Sequence, residues 1–234
     1  MKIGFVFYGL FYGDGSDLGK KPNGASCKDI THCWPNLKRM LIDPFKEQGH
    51  DCRVYISTYK VEDEQKQSEI ENLIKPYRAV YSPKINSTAL TTRYNSFLGF
   101  EEDKDLDFVI MSRSDMHYSK KIAEHNICYD KFNFLFPEEE HWHNYRFTTD
   151  NFYGWPHVLT PKVKDAFIDT KGTFYWTTHN LYNSMCKFLP TSSINIISNV
   201  HEYSDVNSFF TLCKSDQPDR HGYMHPEVKE RFPQ

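Results

Sequence analysis

Long apolar runs are missing from this chain, and none approaches the ~18 residues that a membrane-spanning helix needs. Mean hydropathy is −0.66, so the polypeptide reads as soluble, with no transmembrane segment. An excess of one charge is missing too. Its 234 residues hold 28 Lys and Arg against 31 Asp and Glu, a net charge of −3. That balance argues against nucleic acid as a partner, since such binders show a basic excess or stripe. The six cysteines (Cys27, Cys33, Cys52, Cys128, Cys186 and Cys213) form no CxxC pair. In a chain of this length they read as reduced thiols, not as a disulfide or zinc framework. HExxH and GxSxG are also absent, which leaves zinc-protease and serine-hydrolase readings without a foothold.

The N-terminus MKIGFVFYGLFYG has the Lys and apolar residues of a secretion leader. Gly4, Gly9 and Gly13 interrupt it, however, and no small-residue cleavage site precedes the polar GDGSDLGKK. It reads as a first strand, and the expected compartment is cytoplasmic. There the sequon Asn86-Ser87-Thr88 would stay unmodified.

What the chain does have is a regular alternation of strand and helix signals. KIGFVFYGL, CRVYISTY (52–59), RAVYSP and FVIMSRSD are short apolar or β-branched runs. Between them lie segments with apolar residues at helical spacing: from Pro35 to Gly49, around Ile70, Leu73 and Ile74, and from Thr88 to Phe100. Strands separated by helices predict a Rossmann-type layered α/β/α domain with a mostly parallel central sheet. Beyond residue 130 the spacing predicts strands at FNFLF (132–136) and INIISNV, and helices at PKVKDAFI and TTHNLYNSMCKFL. With no repeat and no linker-like stretch, one domain is expected.

Two tempting motifs fail on chemistry or position. Gly13-Asp14-Gly15-Ser16-Asp17-Leu18-Gly19-Lys20-Lys21 lacks the first Gly and the final Ser or Thr of a P-loop, and would turn two aspartates toward the phosphates. It reads as a loop. The acidic stretch from Glu101 to Asp107 contains a literal Asp105-Leu106-Asp107, but it precedes its strand. Ligands of open α/β sheets bind outside the carboxyl ends of the strands, so this patch is expected to be a solvated loop.

The other end of that strand is different. Phe108-Val109-Ile110-Met111 runs into Arg113, Ser114, Asp115, Met116 and His117. In an extended chain Arg113, Asp115 and His117 would share one face. A hydrophobic strand that ends in a short acidic motif after three βα units resembles the GT-A nucleotide-sugar glycosyltransferases, over roughly residues 1–160. In those enzymes an Asp-x-Asp grips a divalent metal on the donor diphosphate. Here Arg113 stands at the first Asp, giving Arg-Ser-Asp, a variant similar to glycosyltransferase-like proteins of bacteria and large DNA viruses.

The resemblance implies a donor half over residues 1–118 and an acceptor half over 119–234. It implies a nucleoside-diphosphate sugar such as a UDP-sugar as donor, and a glycan or glycoprotein hydroxyl as acceptor. Arg93, Arg113 and Asp115 would meet the diphosphate, and Tyr8 and Gly9 the nucleotide. Mn²⁺ or Mg²⁺ would be held by Asp115 with His117 or His221, near His225. Thr149–Pro156 would form an acceptor loop, with Asp150 as general base and Asn151, Tyr153 and Trp155 contacting sugar. Displacement with inversion needs such a base, and retention does not. From the residues alone, Arg113 and Asp115 could equally be an ion pair, and Asp150-Asn151 an Asx turn. His141, His143 and His179 are weaker candidates. Two other classes stay open: a nucleotide- or cofactor-using α/β enzyme such as a methyltransferase, and a carbohydrate-binding protein without chemistry. Against a methyltransferase, no acidic residue ends CRVYISTY to hold a ribose.

Overall fold

Continuous burial from Ile3 onward along Lys2–Tyr8, the first strand (β1), sets up both faces of the molecule. Ile3, Phe5 and Phe7 point to one face, and Val6 and Tyr8 to the other. In the computed structural model, described for residues 1–13, 28–83, 89–135, 151–170, 181–198 and 210–212, two short strands follow: β2 (Tyr12–Gly13) and β3 (Lys28–Asp29). The chain then alternates through α1 (Ile30–Leu37), α2 (Asp43–Glu47), β4 (Asp51–Tyr59), α3 (Glu64–Ile74) and β5 (Arg78–Ser82). Helices α4 (Ala89–Asn95) and α5 (Phe97–Phe100) lead into β6 (Phe108–Arg113) and β7 (Met116–Tyr118). Next come β8 (Phe132–Phe134), β9 (Phe152–Pro156), α6 (Thr160–Asp169), α7 (Leu181–Phe188), β10 (Ile194–Ile196) and β11 (Phe210–Leu212).

Seven strands form one sheet in the order β10-β8-β9-β6-β1-β4-β5. Only β9 runs against the others. The expected layered α/β domain with a mostly parallel sheet is therefore what the chain forms. One face packs Phe5, Phe7 and Ile110 against Leu37, Leu41 and Phe45. The other packs Val6, Val109 and Met111 against Phe97, Phe100, Val163, Phe167 and Met185. Each such fully buried side chain contributes about 1.5–3 kcal/mol.

Three elements differ from the sequence reading. The helix expected from Pro35 begins earlier, at Ile30, because Asp29 caps it by accepting from Thr31 N at 2.9 Å. Pro35 sits inside this helix and withdraws one backbone donor, and the ladder then widens to a π-helical turn at Lys38–Ile42. The helix expected over Thr88–Phe100 is broken at Ser96, whose hydroxyl bonds back to Arg93 O at 2.5 Å. Finally, Phe152–Pro156, expected as loop, is the antiparallel strand β9 in the middle of the sheet. Its Gly and Pro mimic a turn. Yet Tyr153 and Trp155 alternate with Phe152 and Gly154, and both large rings are fully buried.

Candidate functional site at the carboxyl edge of the sheet

The order of the strands singles out one place. From β1 the chain winds outward to β4 and β5, then returns to lay β6 on the opposite side of β1. The crevice outside the carboxyl ends of β1 and β6 is thus the topological switch point, where open α/β sheets bind ligands. Tyr8 and Arg113 are register partners there, so their side chains stand next to each other on one face. Ser114 N donates to Tyr8 O at 2.9 Å, and Gly9 N to Ser57 O at 3.2 Å. Gly9 has φ +126°, and a Cβ there would lie 3.0 Å from Ser114 Oγ. The positive φ at this strand end therefore favours glycine.

Arg113 is the centre of the site. Its Nε donates to Asp115 Oδ1 and its Nη2 to Asp115 Oδ2, both at 2.8 Å. Its Nη1 donates to Asn151 Oδ1 at 3.2 Å, and its backbone N to Asn151 O at 3.2 Å. This is the fork geometry in which a guanidinium holds a carboxylate best. The Asp115 side chain is 8% exposed and that of Arg113 26%, so the cation fronts the crevice and the anion backs it. The chain leaves its extended course at Ser114–Asp115, a turn, and this lets Asp115 fold back onto Arg113.

His117 goes elsewhere. It lies in β7, which pairs with β11. Its pKa is held below the usual imidazole range by burial first and by the charge of Arg39 second. Strand β7 is fastened by Asn36, which donates from Nδ2 to Tyr118 O at 2.9 Å and accepts from Tyr118 N at 2.7 Å. The Tyr118 hydroxyl meets Ser112 Oγ at 2.8 Å, and burial keeps this phenol protonated well above its ordinary range. Asn36 and Tyr118 were not singled out from the sequence. They are 82 residues apart, and no local signal joins them.

Arg93 approaches the same crevice from α4. It is 3% exposed, with its guanidinium 5.1 Å from the Tyr8 ring centroid, 5.8 Å from Phe167 and 6.0 Å from Tyr153. These distances suit cation–π attraction. Arg93 thus places a buried positive charge behind Tyr8, while Arg113 presents one at the surface.

The acceptor-side residues divide. Asn151, 1% exposed, serves Arg113. Trp155, expected to touch acceptor sugar, is instead a core side chain. It is 0% exposed, stacks at 5.8 Å on Phe132, and donates its indole N–H to Thr160 Oγ1 at 3.1 Å. Tyr153 is equally buried, edge-on to Phe167 at 5.3 Å. Both presented no surface to an acceptor because the strand that carries them lies inside the sheet, under α6. Asp150, His221, His225, His141, His143, His179, the sequon and the loop Asp14–Lys21 lie outside the described residues.

The acidic patch at the opposite edge is only in part the expected solvated loop. Asp105 is exposed, but the Asp103 side chain is 9% exposed and accepts from Arg53 Nη1 at 2.8 and 3.0 Å and from Tyr55 Oη at 2.5 Å. Burial raises its pKa, and the hydrogen bonds of Tyr55 and Arg53 outweigh that and hold it below the usual carboxylate range. Asp107 accepts from Lys2 N at 2.7 Å. The literal Asp-x-Asp thus braces the amino end of β1.

A divalent ion does not fit the described residues. Arg113 already occupies both oxygens of Asp115, and burial together with the positive charge of Arg39 disfavours a further cation at His117. Among the described residues no three His, Cys, Asp or Glu side chains come together as a metal site would require.

The sequence matches no family model and no curated protein. Its backbone is similar to two solved structures. One is a protein assigned to the nucleotide-diphospho-sugar transferases of Desulfovibrio desulfuricans G20. It is 10% identical, with a TM-score of 0.46, over 85% of this chain and 84% of that one. The other is the apo glycosyltransferase GlyE of Streptococcus pneumoniae TIGR4, 11% identical with a TM-score of 0.46. There the match covers 84% of this chain and only 45% of the larger protein. What the site can do therefore follows from its own side chains. No helix among the described residues is long and apolar enough to cross a membrane.

Proposed function

We propose that this protein is a glycosyltransferase that moves a sugar from a nucleoside-diphosphate sugar to a hydroxyl of a glycan or glycoprotein. One observation carries the reading: Arg113 fronts the topological switch point between β1 and β6, and Arg93 lies behind the adjoining Tyr8. A crevice of that position and charge suits a dianionic diphosphate.

In the proposed reaction the bond from the anomeric carbon to the diphosphate oxygen breaks, and its electron pair leaves with the diphosphate. The acceptor oxygen bonds to the same carbon and gives up its proton. Charge grows on the departing diphosphate, so fixed cations aimed at it lower the barrier. Arg113 would contact its oxygens and Arg93 would add potential from behind. Asp150, the residue before Asn151, is proposed to take the acceptor proton. Tyr8 and Gly9 are proposed to border the nucleotide.

The test is a thermal-shift screen of the full chain against UDP-, GDP- and dTDP-sugars, each with and without Mn²⁺. A ligand that binds only the native state raises the transition temperature, by an amount equivalent to about 2.7 kcal/mol at a hundredfold excess over its Kd. At least one donor is expected to do so. If none does under either condition, the reading fails. A protein that binds glycans without chemistry would respond to the free sugar and ignore its nucleotide.

A further inference from the structure

Arg113 and Asp115 stand at a turn between β6 and β7, and the residues that bracket this turn are bonded to each other. Ser112 Oγ and Tyr118 Oη lie 2.8 Å apart, six residues distant in sequence. We infer that Tyr118 and Asn36 are positioning residues for the Arg113–Asp115 turn, and that they set how tightly the crevice holds a nucleoside diphosphate. The second half of this inference rests on the donor-binding reading above.

The bonds form a chain from helix α1 to the end of β6. Ser112 Oγ donates to Arg113 O at 3.1 Å, so it accepts from the Tyr118 hydroxyl. Tyr118 is in turn fixed at its backbone. Asn36, on α1, donates from Nδ2 to Tyr118 O at 2.9 Å and accepts from Tyr118 N at 2.7 Å. Only one orientation of the amide satisfies both groups. Strand β7 thus has β11 on one edge and the Asn36 amide on the other. Ser112 is 0% exposed, Tyr118 1% and Asn36 5%. A bond lost here strands a buried polar group, which costs more than the net worth of the bond.

These residues do what the fork cannot. Arg113 and Asp115 are two residues apart, so their pair would travel with the turn if it moved. The fork fixes the guanidinium to its own turn, whereas Tyr118 and Asn36 fix the turn to the rest of the fold. The backbone bonds at risk are Arg113 N to Asn151 O at 3.2 Å and Ser114 N to Tyr8 O at 2.9 Å. They hold the turn against β1 and the start of β9. A misplacement of about 1 Å, caused far from the chemistry, can cost about a hundredfold in rate.

The experiment combines amide hydrogen exchange, read by NMR, with calorimetric titration of UDP, GDP and dTDP. It uses the full chain and its variants Tyr118→Phe, Asn36→Ala and Asp103→Asn. Tyr118→Phe removes one hydroxyl and keeps the ring, so it serves if Asn36→Ala fails to fold. A neutral hydrogen bond shifts an equilibrium by about three- to tenfold. Exchange at the Arg113 and Ser114 amides should rise by about that factor in Tyr118→Phe, relative to Val109 and Ile110 on the same strand. Asn36→Ala should raise it further. Nucleotide Kd should rise about three- to tenfold in Tyr118→Phe. Asp103→Asn loosens the opposite edge of the sheet, and should leave the exchange ratio and the Kd within about twofold. No rise at Arg113 and Ser114, or a rise shared equally by Val109 and Ile110, would overturn the inference. A local rise with unchanged Kd would overturn its link to donor binding. If the parent binds none of the three nucleotides, the donor reading fails, and the exchange ratio still decides whether these residues hold the turn.

Discussion

Removing Arg113 should cost far more than removing Asp115, although the two make the same pair of hydrogen bonds. The asymmetry follows from burial: the Asp115 side chain is 8% exposed and that of Arg113 26%. Arg113→Gln strands a buried carboxylate that has lost two charge-assisted bonds of 2.8 Å. Breaking a buried pair from one side costs about 3–5 kcal/mol, and partial access of water to the Arg113 position favours the lower end, about 3 kcal/mol. Asp115→Asn leaves an amide oxygen that still accepts one N–H, and leaves a cation that water can reach. Its cost is about 1 kcal/mol. The double variant has no stranded charge and should lose about 1.5 kcal/mol, so the coupling between the sites is about 2.5 kcal/mol. Urea unfolding followed by circular dichroism, with an unchanged m-value, reads these differences directly. In thermal melts Arg113→Gln should lower Tm by about 6–12 °C for a chain of this size. An Asp115→Asn variant as unstable as Arg113→Gln, or two effects that add within about 0.5 kcal/mol, would refute the reasoning.

Two further outcomes probe the rest of the molecule. Asp103 has a pKa below the ordinary value of 3.8, so its contribution is complete above that value and is lost as pH falls through the lowered one. Asp103→Asn should cost about 2 kcal/mol near neutral pH, and its urea midpoint should fall less steeply than that of the parent on acidification. Equal slopes for the two proteins would contradict the ion pair with Arg53 as a source of stability. Trp155→Phe gives up the bond to Thr160 Oγ1 and some volume, for about 1.5 kcal/mol. In the proposed reaction its KM for donor and acceptor should stay within about twofold, because a change among buried side chains that leaves the backbone in place does not alter uniform binding. A raised acceptor KM at unchanged stability would return Trp155 to the sugar site.

Much of this was written in local pattern. Strands β1, β4, β5 and β6 were legible because their apolar residues are continuous or alternate, and α3 because Ile70 and Ile74 recur at helical spacing. Arg113 and Asp115 were legible as a pair because two residues of chain suffice to bring them together. Strand β9 was not, since Gly154 and Pro156 carry the signature of a turn, and only burial between β6 and β8 makes that segment a strand. The misplacement of Tyr153 and Trp155 followed from that one error. Asp103 was read as solvated because nothing nearby in sequence shows that Arg53, on β4, would lie over it.

By itself, then, the order of apolar and polar residues determined the layers, the direction of the main strands and the strand end where the candidate site lies. These depend on periodicity, which each segment holds within its own few residues. Tertiary structure decided who meets whom. It set Asn151 against Arg113 across 38 residues, put Arg93 behind Tyr8, paired the strand of His117 with Phe210–Leu212, and gave both oxygens of Asp115 to a guanidinium. Those choices depend on strand order and on the packing of distant elements, and no short window of sequence contains either.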